Sequence, residues 1–319
     1  MILSIILVLV GLAILIVGGE SLVRGASSIA KRLKVAPIVI GLTIVAFGTS
    51  APELAVNLFS ALQGSADIAV GNVIGSNIAN ILLILGISAL IRTIRVQKNT
   101  TWKEIPLALL AVLLVFVMAN DRLFDGASAN VLTRTDGLTL IGIFAIFMYY
   151  TFGIAKATGD ADKDEVKLYS ALTSTLLIIG GLIGLVYGGK LLVDNAIVLA
   201  QLAGMSQALI GLTIVAVGTS LPELVTSIIA VRHGHDDLAV GNIVGSNIFN
   251  ILWILGVTST ILPLPISDAV QTDILVNVGV TILLFLFMFV GARHKLNRWQ
   301  GAMFVLMYIG YVGYLVIRG

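Results

Sequence analysis

Two glutamates each follow a proline in nearly identical strings, GTSAPEL ending at Leu54 and GTSLPEL ending at Leu224. Glu53 and Glu223 lie inside long apolar stretches, and neither string brings a basic residue with it. An ionised carboxylate at membrane depth costs several kcal/mol or more unless it is paired. Two of them without a Lys or Arg in the motif ask for a cation. Pro52 and Pro222 are expected in helix interiors, where a proline removes the hydrogen bond to the carbonyl four residues back. The carbonyls so freed are those of Gly48 and Gly218, with Thr49 and Thr219 next in line. Free carbonyls at this depth are tolerated only where protein, water or an ion meets them. Ser50 and Ser220 add hydroxyls. A second pair of strings, GNVIGSNIAN at 71–80 and GNIVGSNIFN at 241–250, supplies more. Helical spacing of four puts Ser76 and Asn80 on one face, and Ser246 and Asn250 on another. The set is all oxygen, with no thiol or imidazole, and suits hard cations such as calcium and sodium. Two ionised carboxylates match one divalent cation or two monovalent ones, and competition for such a site is a basis for antiport.

Other readings of these residues stay open at this point. The glutamates could be protonated, or could pair with Arg24 or Lys190. Those two cations have acidic counterparts 170 residues away, Asp194 and Glu20, so the four charges could satisfy one another. Gly71, Gly75, Gly241 and Gly245 read as close helix packing. His233, His235, Asp236 and Asp237 in HGHDD read as an exposed turn rather than a transition-metal site.

The elements that must hold these residues are membrane spans. Of 319 residues, 58% are apolar and 11% charged, and the mean hydropathy is +1.06. A soluble domain carries roughly a quarter charged residues. The chain is therefore expected to be an all-α integral membrane protein whose main partner is the lipid bilayer, with no nucleic acid and no obligate protein partner. Cysteine is absent, so disulfides and thiolate sites are excluded. A span needs about 20 apolar residues, and ten are expected, at 2–26, 36–62, 67–91, 102–119, 135–155, 169–199, 206–231, 238–262, 270–291 and 299–317. Fourteen of the nineteen basic residues fall in odd-numbered connections. The positive-inside rule puts those connections in the cytoplasm and both termini outside.

The chain also repeats itself. Residues 41–86 and 211–256 align at an offset of 170 without a gap, with 28 of 46 positions identical. The expected organisation is a five-helix repeat at 1–155, a short cytoplasmic linker at 156–168, and a second five-helix repeat at 169–319. Five is odd, so the second repeat enters the membrane inverted. The flanks agree: Lys31, Arg32 and Lys34 precede the first motif, while 201–204 is uncharged. Inverted repeats with interrupted helices at matching places mark secondary transporters. No G-x-S-x-G, H-E-x-x-H or Walker-A string is present, so neither an enzyme nor a resident cofactor is expected. A passive cation channel is the alternative from another class.

The strings GTSAPE…GNVIGSNIAN and GTSLPE…GNIVGSNIFN resemble the two alpha-repeats of the sodium/calcium exchanger family, within the cation/calcium antiporter superfamily. The resemblance spans the ten-helix plan and is closest to compact prokaryotic members. It implies exchange of calcium for sodium by alternating access in the plasma (inner) membrane, with the first and sixth helices sliding across a core of eight. By position it implies that Glu53 and Glu223 hold calcium with the carbonyls of Thr49 and Thr219. Sodium would use the same glutamates with Ser50, Ser76, Ser220 and Ser246. The carbonyls of Ala46 and Ala216 would complete two outer sodium sites, and Asn80 and Asn250 would face the centre. Some members, including potassium-dependent ones, carry aspartate at the position of Asn250, so this chain resembles the potassium-independent branch. Proton-coupled relatives typically carry an acidic residue after the GN pair. Here Gly71–Asn72 and Gly241–Asn242 are followed by VIGSN and IVGSN, which argues against that alternative.

Overall fold

A computed structural model describes residues 1–157, 167–203 and 216–318. Most of the expected linker, at 158–166, and the start of the expected seventh span, at 206–215, lie outside the described residues. The chain forms helices α1 (Ile2–Leu33), α2 (Pro37–Thr49), α3 (Ala51–Leu62), α4 (Ala66–Ile91), α5 (Lys98–Met118) and α6 (Arg134–Ala157). It continues with α7 (Ala171–Leu202), α8 (Ala216–Gly218), α9 (Leu221–Arg232), α10 (Asp236–Ile261), α11 (Asp268–Phe287) and α12 (Arg298–Arg318). Eight of the described helices are long and apolar enough to span a membrane, and α2 with α3 makes a ninth, bent by 44°. The protein is a multi-pass, all-helical membrane protein.

The expectation of one helix running through each proline is corrected. Helix α2 ends at Thr49, Ser50 breaks it with φ −83° and ψ 7°, and α3 starts anew at Ala51. Pro52 therefore sits in a first turn, where its missing N–H has no helical partner to lose. Ser220, with φ −87° and ψ 6°, stands in the same way before α9 and Pro222. Among the described residues, three π-helical turns were not foreseen: Gly41–Val45 in α2, Asn80–Leu85 in α4 and Phe249–Leu255 in α10. Such turns widen a helix by one residue and recur at functional sites.

Helices α1 and α7 are 32 residues each and pack antiparallel along their length. Glycines make that approach possible. A Cβ on Gly18 would stand 2.9 Å from the Gly181 carbonyl oxygen, and one on Gly11 2.8 Å from the Leu192 nitrogen. In the core, α10 lies against α2, α6 packs on the last turns of α10, and α12 packs on the last turns of α4.

Two short ladders, also unexpected from sequence, close the ends of the bundle. Strand β1 (Ile94–Arg95) pairs antiparallel with β4 (Lys295–Leu296), and β2 (Val131–Leu132) pairs with β3 (Leu264–Pro265). The first ladder puts the end of α4 beside the start of α12. The second puts the end of α10 beside the start of α6, at the opposite end. Side-chain bonds extend both groupings. Tyr169 N donates to Ser28, Arg32 reaches the Tyr169 carbonyl, and Arg95 N donates to Asp236, which gathers the odd connections at one end. Gln271 donates to the Ala119 carbonyl and Arg122 pairs with Asp268, which gathers even connections at the other.

HGHDD is not a free turn. His233 Nε2 lies 2.9 Å from both Glu20 carboxylate oxygens, Asp236 is buried against Arg95 N–H, and Asp237 accepts from Gln97. Nor do the four intrahelical charges cross between α1 and α7. Arg24 pairs with Glu20 and Lys190 with Asp194, each within its own helix.

Candidate ion-binding site

The polar residues of the two strings meet at the centre of the core, where α2 and α3, α8 and α9, α4 and α10 converge. Glu53 and Glu223 are each only 1% exposed. Ser50 donates to Glu223 Oε1 at 3.2 Å, and Ser220 to Glu53 Oε1 at 3.4 Å, so each broken helix serves the glutamate of the other. Ser76 donates to Glu53 Oε1 at 3.4 Å, and Ser246 to Glu223 Oε1 at 3.5 Å. Each carboxylate thus takes two hydroxyls on one oxygen. The second oxygen of each, Oε2, is buried and has no hydrogen-bond partner among the described residues. No ion pair among the described residues includes either glutamate.

The asparagines form a lattice across the centre. Asn80 Nδ2 donates to Asn247 Oδ1 at 2.9 Å, and Asn250 Nδ2 donates to Asn77 Oδ1 at 3.0 Å. Asn77 Nδ2 also reaches the Asn247 carbonyl at 3.1 Å. With their amide nitrogens so engaged, the Oδ1 atoms of Asn80 and Asn250 are buried and unpartnered. Four orphaned acceptor oxygens therefore sit in one repeat-related set of residues: two carboxylate oxygens and two amide oxygens. A buried acceptor without a partner costs roughly 1–3 kcal/mol, and oxygens of these two kinds are among the ligands that hard cations take.

The helix breaks are anchored by side chains. Thr49 Oγ1 donates to Asn242 Oδ1 at 3.1 Å, and Thr219 Oγ1 to Asn72 Oδ1 at 3.5 Å, which pins both helix breaks to the facing helices. The Ala46 carbonyl accepts Ser50 N–H at 3.0 Å and also lies 3.4 Å from the Thr49 hydroxyl. Ala216 opens α8, the equivalent segment of the second half. A cavity of about 600 Å³ lies beside this region. Pro52, Gly218, Thr219 and Pro222 of the two motifs line it, as do Gln63 and the exposed pair Lys190 and Asp194.

Among solved structures, that of the sodium-calcium exchanger NCX_Mj soaked with sodium and calcium superposes with a TM-score of 0.84 at 36% identity, covering 98% of each chain. The sodium/calcium exchanger protein family matches over residues 3–153 and 173–317. The chain belongs to the sodium/calcium exchanger family. Its relatives include the sodium/calcium exchanger MaX1 of Methanosarcina acetivorans, 32% identical over 96% of each chain. The inner membrane protein YrbG of Escherichia coli is 39% identical over 82% of this chain and 81% of its own. This member is thus an antiporter-type membrane protein of the compact kind that its sequence resembles.

Sequence reasoning passed over four residues of the lattice. Asn77 and Asn247 hold the amides of Asn250 and Asn80, and Asn72 and Asn242 anchor the two helix breaks. The signal was present, since each pair is identical at the 170 offset within the quoted strings. Asn247→Ala leaves the buried Asn80 amide without its acceptor and should lower stability by about 1–3 kcal/mol. Thermal unfolding in detergent checks this, and an unchanged midpoint removes Asn247 from the framework.

Proposed function

We propose that this protein is a secondary antiporter that exchanges calcium for sodium across the plasma (inner) membrane by alternating access. The observation that carries the reading is the set of four orphaned oxygens, on Glu53, Glu223, Asn80 and Asn250. Calcium takes the two carboxylates with the carbonyls of Thr49 and Thr219. Sodium ions take the same carboxylates with Ser50, Ser76, Ser220 and Ser246, and the carbonyls of Ala46 and Ala216 serve two outer sites. One divalent ion or two monovalent ions neutralise the carboxylates, so the two cargoes exclude one another.

The architecture we assign is ten spans in two inverted repeats of five, at 1–155 and 169–319, joined by a cytoplasmic linker at 156–168. The opposed ladders support it, because the end of α4 and the end of α10 lie at opposite ends of the bundle. The end that gathers Arg32, Arg92, Arg95 and Lys295 is cytoplasmic by its charge, which puts both termini outside. The cavity then opens outward. At the cytoplasmic end, Gly19 packs against Val225 and Ile229, and Glu20 holds His233. A site reached from one side and shut from the other is one half of an alternating cycle.

Radioactive calcium uptake into sodium-loaded proteoliposomes, diluted into sodium-free buffer, tests the coupling. Uptake should occur with the sodium gradient and vanish when sodium is equal on both sides. Equal uptake in both would overturn sodium coupling, and a pH gradient would then separate proton exchange from a channel.

A further inference from the structure

A basic pocket lies where α1, the chain just before α7 and the turn between α9 and α10 meet. It measures about 310 Å³, and Arg24, Lys167, His233 and His235 line it together with Ser27 and Tyr169. Ligand sites begin at roughly this size. The 170 offset carries Arg24, Ser27, His233 and His235 onto Asp194, Ile197, Gln63 and Ser65, none of which is a cation. The chemistry of this pocket therefore belongs to one end of the bundle and is no by-product of the duplication that built the central site.

The charges lining the pocket are only partly answered. Glu20 is shared by Arg24 at 2.7 Å and His233 at 2.9 Å. It occupies Nε and Nη2 of Arg24, which leaves the guanidinium further donors for a second anion. Asp236, next to His235 in the chain, is committed to Arg92 and to the Arg95 N–H. Lys167 makes no ion pair among the described residues, and its Nζ lies 5.5 Å from the centre of the Tyr169 ring. A second observation points the same way. Ser27 is only 4% exposed, and its hydroxyl has no hydrogen-bond partner among the described residues. Its neighbour Ser28, by contrast, meets Ser174 Oγ and Tyr169 N. We propose that this pocket binds a phosphate group, carried by an anionic phospholipid or free in solution. Phosphate accepts charge-assisted hydrogen bonds from Arg and Lys and has oxygens to spare for imidazole and hydroxyl donors. Basic pockets between membrane helices on the cytoplasmic side suit anionic headgroups. The site itself is independent of which cations are exchanged, and only its assignment to the cytoplasmic leaflet rests on the orientation proposed above.

The test uses the full-length protein in detergent. Binding is read as a saturable rise in the unfolding midpoint. One arm titrates inorganic phosphate at constant ionic strength, and the other compares phosphatidylglycerol with phosphatidylcholine. A rise with phosphatidylglycerol alone makes the lipid the source, and a rise with inorganic phosphate as well shows that the phosphate group suffices. Equal responses to the two lipids, with none to inorganic phosphate, overturn the proposal. Lys167→Gln and Arg24→Gln should each weaken binding by roughly fivefold, the worth of one cation beside an anionic group. Lys98→Gln, which removes an exposed cation on α5 outside the pocket, should leave binding unchanged. Ser27→Ala should keep the midpoint of the protein without phosphate, since its hydroxyl has no bond to lose, yet weaken binding. Unchanged affinity in both Lys167→Gln and Ser27→Ala overturns the site, and so does an equal loss in Lys98→Gln, which would mark diffuse charge attraction. Sodium-dependent calcium exchange is measured separately, so failure of the exchange reading leaves these midpoints as they are.

Discussion

Glu53→Gln should abolish sodium-dependent calcium uptake while the protein remains folded and monodisperse. A carboxylate about 2.4 Å from a divalent ion contributes roughly 14 kcal/mol of attraction at an effective dielectric of about 20, before dehydration of the ion is subtracted. Even a small surviving fraction of that exceeds the ~2.8 kcal/mol that a hundredfold loss of affinity represents. The fold has less at stake. The glutamine keeps an oxygen to accept the hydroxyls of Ser76 and Ser220, now bonded to Glu53 Oε1. What changes is Oε2, which has no partner among the described residues. The effect should therefore appear in transport and in calcium titration, with little change in the unfolding midpoint. Glu223→Gln should match it, since Ser50 and Ser246 serve Glu223 in the same way. Calcium flux near the wild-type rate in Glu53→Gln would remove the glutamate from the site.

Much of the candidate site was legible because duplication marks it. Polar residues inside apolar spans are rare, and here they recur at a fixed offset, so Glu53 with Glu223 and Ser76 with Ser246 stand out without structural help. Span positions were legible for the same reason that hydropathy works in lipid: each backbone group must be satisfied within its own helix. The misses share a cause. Pro52 looked like an interior kink because its motif is flanked by apolar residues on both sides, yet the chain stops at Ser50 and restarts at Ala51. Whether a proline kinks a helix or begins one depends on what receives the preceding turn, and here Thr49 is tied to Asn242 on α10. The π-turns and the asparagine lattice are likewise products of helix-to-helix contact. Asn77 and Asn247 look like packing residues until their partners, 170 and 167 residues away along the chain, are known.

The glycines of α10 carry the second large effect. A Cβ on Gly245 would stand 2.9 Å from Ala46 Cβ, 2.9 Å from Leu42 Cα and 3.1 Å from the Leu42 carbonyl oxygen. One turn earlier, a Cβ on Gly241 would stand 2.8 Å from the Ile38 carbonyl oxygen, 3.1 Å from Gly41 Cα and 3.2 Å from the Leu42 nitrogen. Most of the atoms met are backbone, so there is no side chain that can swing aside. This close approach sets α10 against the π-turn Gly41–Val45, immediately before Ala46 and Thr49. Gly245→Val should push α2 away from α10 and break the bond from Thr49 to Asn242. Overpacking of this kind costs about 1–3 kcal/mol, and a displaced Thr49 carbonyl should weaken calcium binding by roughly tenfold or more. Gly313→Val is the matched control, since a Cβ there meets nothing within 4 Å among the described residues. Valine also has no worse helix propensity than glycine. The control should keep its unfolding midpoint and calcium affinity, while Gly245→Val loses both. If Gly245→Val instead binds calcium as tightly as Gly313→Val, the α2–α10 approach is not what positions the carbonyls, and the asparagine lattice alone must hold the site.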